Sequence, residues 1–181
     1  MELKLTDEQL FELIQLDKES GFRSLMHQYQ EQTYWHIRRM VTTHEDADDV
    51  VQNTFIKVFK NLDKFKGNSK LYTWIYRIAT NESITFLKSR KKRHSESIDE
   101  TENAIENSLV ADDYFDGNNA QVILQRAIIT LPEKQKAVFN LRYYDEMPYS
   151  DMSEVLETSV GALKASYHHA VKKIEKYISP D

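Results

Sequence analysis

Between Ser95 and Ala120 the chain carries eight carboxylates and not one Lys or Arg. The segment just before it has the opposite sign: from Lys57 to His94 eleven Lys and Arg stand against Asp63 and Glu82, which leaves +9. A stretch of low hydrophobicity and a single charge sign cannot bury enough apolar surface to build a core. Folded matter must therefore lie on either side of it. The sequence predicts two small units, Met1 to His94 and Ala120 to Asp181, joined by a flexible acidic linker over Ser95 to Asn119. The overall charge of -5 hides this segregation. Taken as an average it would argue against nucleic-acid binding, because phosphates are held by Lys and Arg; the basic block restores that possibility.

Both units read as helical, and the expected fold class is all-α. Four glycines and three prolines are too few for a β-rich fold with many tight turns. The first unit opens with a helix over Thr6 to Leu16, with Thr6 as N-cap and Leu10, Leu13 and Ile14 as its apolar stripe. A second helix is placed after Gly21, from Phe22 to Thr42. The third, Glu45 to Leu62, repeats apolar residues at three- and four-residue steps and puts its acidic end at the positive pole of the helix dipole. A polar loop over Lys64 to Lys70, with Gly67, leads to a long helix from Leu71 to Lys92 whose inner side holds Leu71, Ile75, Ile78, Ala79 and Phe86. Trp74, Tyr72 and Tyr76, at helical spacing, read as core aromatics.

In the second unit the helical period runs through Ile123, Leu124, Ala127 and Ile128 and breaks at Leu131-Pro132, where proline suits the first position of a new helix. That helix reaches Tyr144, another runs from Pro148 to Leu156, and the turn Glu157-Thr158 leads into a last helix from Ser159. Its apolar side holds Val160, Leu163, Tyr167, Ala170, Val171, Ile174 and Ile178. Two helices joined by so short a turn form a helix-turn-helix, whose second member enters the major groove in duplex readers.

No apolar run reaches the roughly 18 residues of a membrane-spanning helix, and Met1 to Leu16 lacks a secretory apolar region, so a cytoplasmic protein is expected rather than a membrane protein. Without cysteine there are no disulfides or thiolate metal sites. The run His44-Glu45-Asp46-Ala47-Asp48-Asp49 invites a metal-hydrolase reading, in which loss of Asp48 and Asp49 would abolish turnover. Consecutive helical residues diverge, however, and no H-E-x-x-H pattern accompanies them. No catalytic residue, metal or cofactor is therefore assigned.

Several of these segments, in order, resemble extracytoplasmic-function sigma factors of bacterial RNA polymerase. Asp46 to Phe59 resembles the family helix that binds the polymerase clamp. Phe65 to Ser69 and Tyr72 to Asn81 resemble the promoter-melting loop and the helix behind it. Leu131-Pro132-Glu133, Tyr149 to Val155 and Ser159 to Lys164 resemble the region that reads the minus-35 element. The resemblance implies a non-enzymatic initiation factor. It also implies core polymerase as partner, through the clamp coiled coil and flap of the large subunits, together with promoter DNA and an anti-sigma factor at the membrane. A monomer is expected.

Carried onto this sequence, the resemblance assigns polymerase binding to Asp48, Asp49, Gln52, Asn53 and Ile56. Capture of the minus-10 strand falls to Lys64, Lys66, Asn68, Ser69, Arg77, Asn81, Lys88 and Arg90. Readout of the minus-35 duplex falls to Ser159, Ala162, Lys164, Ser166, His168 and Lys172. Many relatives carry arginine where this chain has Ser166, and often a basic residue at His168, so direct base readout is expected to be thinner, with groove shape contributing. The rival on the same residues is a free-standing helix-turn-helix regulator, which would bind an operator as a two-fold dimer without polymerase.

Overall fold

The computed structural model describes residues 4–94 and 119–179. The acidic-linker expectation falls outside them, except that Asn119 opens a helix. Among the described residues there are eight α-helices, one 3-10 turn and no strand. The first four are α1 (Asp7–Leu16), α2 (Lys18–Val41), α3 (His44–Asn61) and α4 (Leu71–His94), with the 3-10 turn at Leu62–Lys64. The second group is α5 (Asn119–Ile129), α6 (Glu133–Tyr143), α7 (Tyr149–Leu156) and α8 (Val160–Ile178). No helix among the described residues is long and apolar enough to cross a membrane.

Helix starts follow local chemistry. Thr6 Oγ1 accepts from Gln9 N at 3.2 Å and Gln9 Oε1 from Thr6 N at 2.9 Å, a reciprocal capping box. The second helix begins four residues earlier than the sequence predicts. Asp17 caps it, accepting from the backbone of Glu19 at 3.1 Å and Ser20 at 3.3 Å, and the Ser20 hydroxyl bonded to that carboxylate leads in holding its pKa below the usual range. Gly21 is therefore no break. It lies inside α2, where an added Cβ would stand 2.6 Å from Ile14 Cα, so glycine here lets α1 pack directly on α2.

The core of the first unit joins Leu10, Leu25, Ile37, Met40, Val50, Phe55, Val58, Leu71 and Ile75, all buried. Tyr29 is drawn into it; burial first, then Asp7, pushes its hydroxyl up to about 12. In the second unit Phe139 stacks on Tyr143 and Tyr167 beside Ala127, Ile128, Ala170 and Ile174.

The two units also share apolar surface. Tyr76 of α4 belongs to a buried cluster with Val138, Leu141, Met147, Met152, Val155 and Leu163, and Ala137 of α6 sits in the first unit's core. Polar bonds seal the seam. Fully buried His36 bridges Asp145 (Nδ1 to Oδ2, 2.9 Å) and Thr80 (Nε2 to Oγ1, 2.9 Å), while Arg39 Nη1 reaches Asp145 Oδ1 at 3.1 Å. The buried positions on α4 thus serve several neighbours at once, α2 and α3 of the first unit and α7 of the second.

Candidate functional site

Three surfaces stand apart on this framework. The first is a groove of about 630 Å³ between α2 and α3. Its floor is apolar, with Phe22, Met26, Val51, Phe55 and Phe59, and its rim carries Asp48, Asp49, Gln52 and Ile56. Period 3.6 explains the arrangement: Val50, Val51, Thr54, Phe55 and Val58 turn inward, leaving the predicted residues exposed. Asn53 is exposed on the same helix but does not line the groove. Ile56 is 44% exposed, a large apolar side chain with no burial to account for it.

The acidic run at the start of α3 is engaged in several separate contacts. His44 Nδ1 lies 2.6 Å from the Tyr34 hydroxyl and its Nε2 3.3 Å from Asp48, whereas Asp46 faces away to Arg90.

The second surface is a cleft of about 430 Å³ between α3 and α4, lined by Lys57, Asn61, Lys64, Trp74, Arg77, Ile78, Asn81 and Glu82. It brings together three of the predicted strand-capturing residues, Lys64, Arg77 and Asn81, with a half-buried indole. Trp74 is not wholly core: one part packs on Phe65, with centroids 5.1 Å apart, and the ring also lines the cleft. Sequence reasoning missed Lys57, Asn61 and Glu82 here. The signal was available, since Asn61 follows Lys57 by one helical turn and Lys64 follows Asn61 by three residues; Lys64 Nζ donates to Asn61 Oδ1 at 3.1 Å and Lys57 pairs with Glu82 at 2.5 Å. Lys66 and Asn68 are exposed in the loop around Gly67, whose φ of +71° suits glycine, and Ser69 is half-buried there. Lys88 is exposed further along α4. Arg90 is turned toward α3, 2.8 Å from Asp46.

The third surface is the outer side of α8. Ser159 caps it, accepting from Ala162 N at 3.3 Å, so that hydroxyl serves the helix start. Ala162, Lys164, His168 and Lys172 are exposed, and Ser166 is half-buried. The preceding turn is made by Glu157 in the left-handed region, φ 49°, with Ser153 Oγ bonded to Thr158 O at 2.7 Å. Lys164 Nζ rests 5.7 Å from the centre of the Tyr149 ring.

Residues 25–93 match sigma-70 region 2 and residues 121–174 match sigma-70 region 4. The chain is 30% identical to the ECF RNA polymerase sigma-E factor of Escherichia coli over 188 residues, covering 99% of this chain and 98% of that one. Among solved structures, CnrH in complex with the cytosolic domain of CnrY is similar with a TM-score of 0.71 and 20% identity, over 97% of this chain and 98% of that one. The sigma factor RpoE in complex with the anti-sigma factor NepR, from Bartonella quintana, is similar with a TM-score of 0.65 and 19% identity, over 88% and 98%.

Proposed function

The chain belongs to the sigma-70 family, as a sigma factor of the extracytoplasmic-function type, and from that premise we propose how its three surfaces divide the work of promoter-specific initiation. It binds core RNA polymerase and directs transcription initiation at promoters. Residues 1–94 form the unit for polymerase docking and minus-10 capture, 120–181 the unit for minus-35 recognition, and 95–119 the acidic tether.

The groove between α2 and α3 receives the polymerase clamp. An apolar floor ringed by Asp48, Asp49, Gln52 and Ile56 suits a partner helix pair with apolar ridges and basic flanks. The cleft between α3 and α4 takes an extruded base of the minus-10 strand. Asn81 offers a donor and an acceptor to a base edge, Trp74 a stacking face, and Arg77 and Lys64 cations for the backbone, with Lys66, Asn68, Ser69 and Lys88 extending the track. Arg90 fixes the basic end of α4 through Asp46.

On α8, Ala162, Lys164 and His168 face the major groove while Lys172 meets phosphate. The polymerase makes the phosphodiester bonds; this chain contributes docking and recognition, acting in the cytoplasm. A similar structure is bound to an anti-sigma factor, which supports an anti-sigma partner for this chain as well.

The observation that carries the reading is the convergence of Lys64, Arg77, Asn81 and Trp74 on one cleft inside the segment matched to region 2. The test adds the purified chain to core polymerase with a promoter library. Start sites absent from core alone are expected; operator binding by a dimer that ignores polymerase would sink the assignment.

A further inference from the structure

The cleft between α3 and α4 holds one group that a site for a polyanion has reason to exclude. Among the described residues that line it, Glu82 is the one carboxylate, beside Lys57, Lys64 and Arg77. Its side chain is 15% exposed, and Lys57 Nζ meets its Oε1 at 2.5 Å. A staple between the two helices is the plain alternative. Lys57, however, is 53% exposed, and an ion pair with so solvated a partner adds little to stability. What the pair does achieve is to offset the charge that would repel a DNA strand, while leaving a strong acceptor inside the cleft.

Hydrogen-bond accounting shows which groups have capacity left. Both ends of the Asn61 amide are engaged: Nδ2 donates to Lys57 O at 2.8 Å and Oδ1 accepts from Lys64 Nζ at 3.1 Å, so this side chain aims the lysine. Glu82 Oε2 and the amide of Asn81, its neighbour on α4, make no hydrogen bond among the described residues. Two adjacent residues of one helix thus present open polar groups to the same space.

We infer that Glu82 is a specificity-determining residue of this cleft and restricts the extruded base to one carrying an exocyclic amine. A carboxylate can only accept. Cytosine, adenine and guanine each project an amine from the Watson–Crick edge, and the cytosine amine is what carboxylates read in duplex grooves. Thymine has none. Its single ring N–H is recessed between two carbonyl oxygens, and a carboxylate reaching for that N–H is repelled by them. This rests on the cleft taking an extruded base, as proposed above; there Asn81 and Trp74 hold the base, and here Glu82 decides which bases are held.

The test uses the full chain with core polymerase on promoters randomised through the minus-10 element, with the selected transcripts sequenced. Each variant is compared at equal occupancy of core polymerase, so that a folding defect does not enter. At one position the parent holoenzyme is expected to disfavour thymine by about tenfold against the amine-bearing bases. Glu82→Gln keeps the size and adds a donor, so it should reduce that exclusion to below about threefold there and leave the other positions as they were. Lys57→Met tells reading from stapling. It frees the carboxylate, so the exclusion of thymine should persist while total transcription falls, because the uncompensated charge repels the strand. A parent with no thymine-excluding position, an exclusion that survives Glu82→Gln, or an exclusion lost equally in Lys57→Met and Glu82→Gln overturns the proposal.

Asn81→Ala separates this outcome from failure of the cleft assignment itself. If it flattens base preference at one position where Glu82→Gln changes nothing, the cleft holds a base and Glu82 does not read it. If neither variant alters preference at any position, the cleft is not the base site, and the inference falls with that reading.

Discussion

Arg90 Nη1 stands 2.8 Å from Asp46 Oδ2, tying the basic end of α4 to the acidic first turn of α3 across 44 residues of sequence. Both side chains are about three-quarters or more covered, at 19% and 25% exposure, so solvent screens the pair only in part. Arg90→Ala removes one partner and leaves Asp46 half-buried without its cation. The expected cost is about 1–2 kcal/mol by chemical denaturation. Affinity for single-stranded DNA should barely change, in contrast to Lys88→Ala, whose exposed ammonium should lower the salt slope by about one. An affinity loss at Arg90 equal to that at Lys88, without destabilisation, would refute the distinction.

Two glycines inside helices should respond to alanine with opposite signs. At Gly21 the new methyl would stand 2.6 Å from Ile14 Cα and 2.7 Å from Ile14 N, backbone atoms that cannot swing aside. Overpacking costs about 1–3 kcal/mol. The gain in helix propensity returns only about 1 kcal/mol, so Gly21→Ala should melt below the parent chain. Around Gly161, in the first turn of α8, nothing lies within 4 Å of an added Cβ. Gly161→Ala should stabilise by about 0.5–1 kcal/mol in the absence of DNA. Thermal melting of the two variants side by side checks the pair of signs.

Much of this was legible beforehand, for a physical reason. Helix existence follows from apolar residues at three- and four-residue steps, which is why Val50, Phe55 and Val58 could be turned inward and Asp49 and Gln52 outward from the sequence alone. The start of α2 was not, because Gly21 carries the composition of a break while its role is close approach to Ile14, a residue of another helix. The seam between the units was equally silent. His36 and Asp145 are 109 residues apart, and each reads as an ordinary polar residue until the fold places them 2.9 Å apart. Period reports which face of a helix is covered, not what covers it, so Tyr72 and Tyr76 could be read as core without showing that α7 supplies part of that core.

Lys136 makes stability depend on pH in an unusual direction. Burial lowers its ammonium to about 8, with Glu133 opposing the shift and Arg90 adding to it. In the unfolded chain it titrates near 10.5. Below about pH 8 both states are protonated and the fold carries the whole penalty of burying the charge. Between about 8 and 10.5 the unfolded chain binds more protons than the folded one, so stability rises with pH across that window. Lys136→Met should therefore be more stable than the parent at pH 7 by about 2–4 kcal/mol, and the difference should shrink toward pH 10. Taking the difference between the two chains cancels the tyrosines, whose raised values act in the opposite sense at higher pH. A difference independent of pH would show that Lys136 keeps its ordinary titration.

The polymerase groove offers the sharpest separation of binding from folding. Ile56 is 44% exposed and Asp49 and Gln52 are exposed beside it, so replacing them removes almost no folded-state burial. Ile56→Glu, and separately Asp49→Arg with Gln52→Ala, should leave melting within about 0.5 kcal/mol of the parent. The same changes fall on the rim of a groove floored by Phe22, Phe55 and Phe59, where an anchoring side chain of a partner would be enclosed. Spoiling the pocket of such an anchor costs about 2 kcal/mol or more; a carboxylate buried at position 56 adds desolvation and an arginine at position 49 adds repulsion from the partner's basic flanks, so the Kd for core polymerase should weaken by at least about 30-fold. Fluorescence titration of core enzyme with each labelled variant measures it. Phe59→Ala is the informative companion: its ring packs against Phe22 at 5.0 Å and floors the groove, so it should lose both binding and stability. If the rim variants bind like the parent while Phe59→Ala binds weakly only because it unfolds, polymerase docks elsewhere.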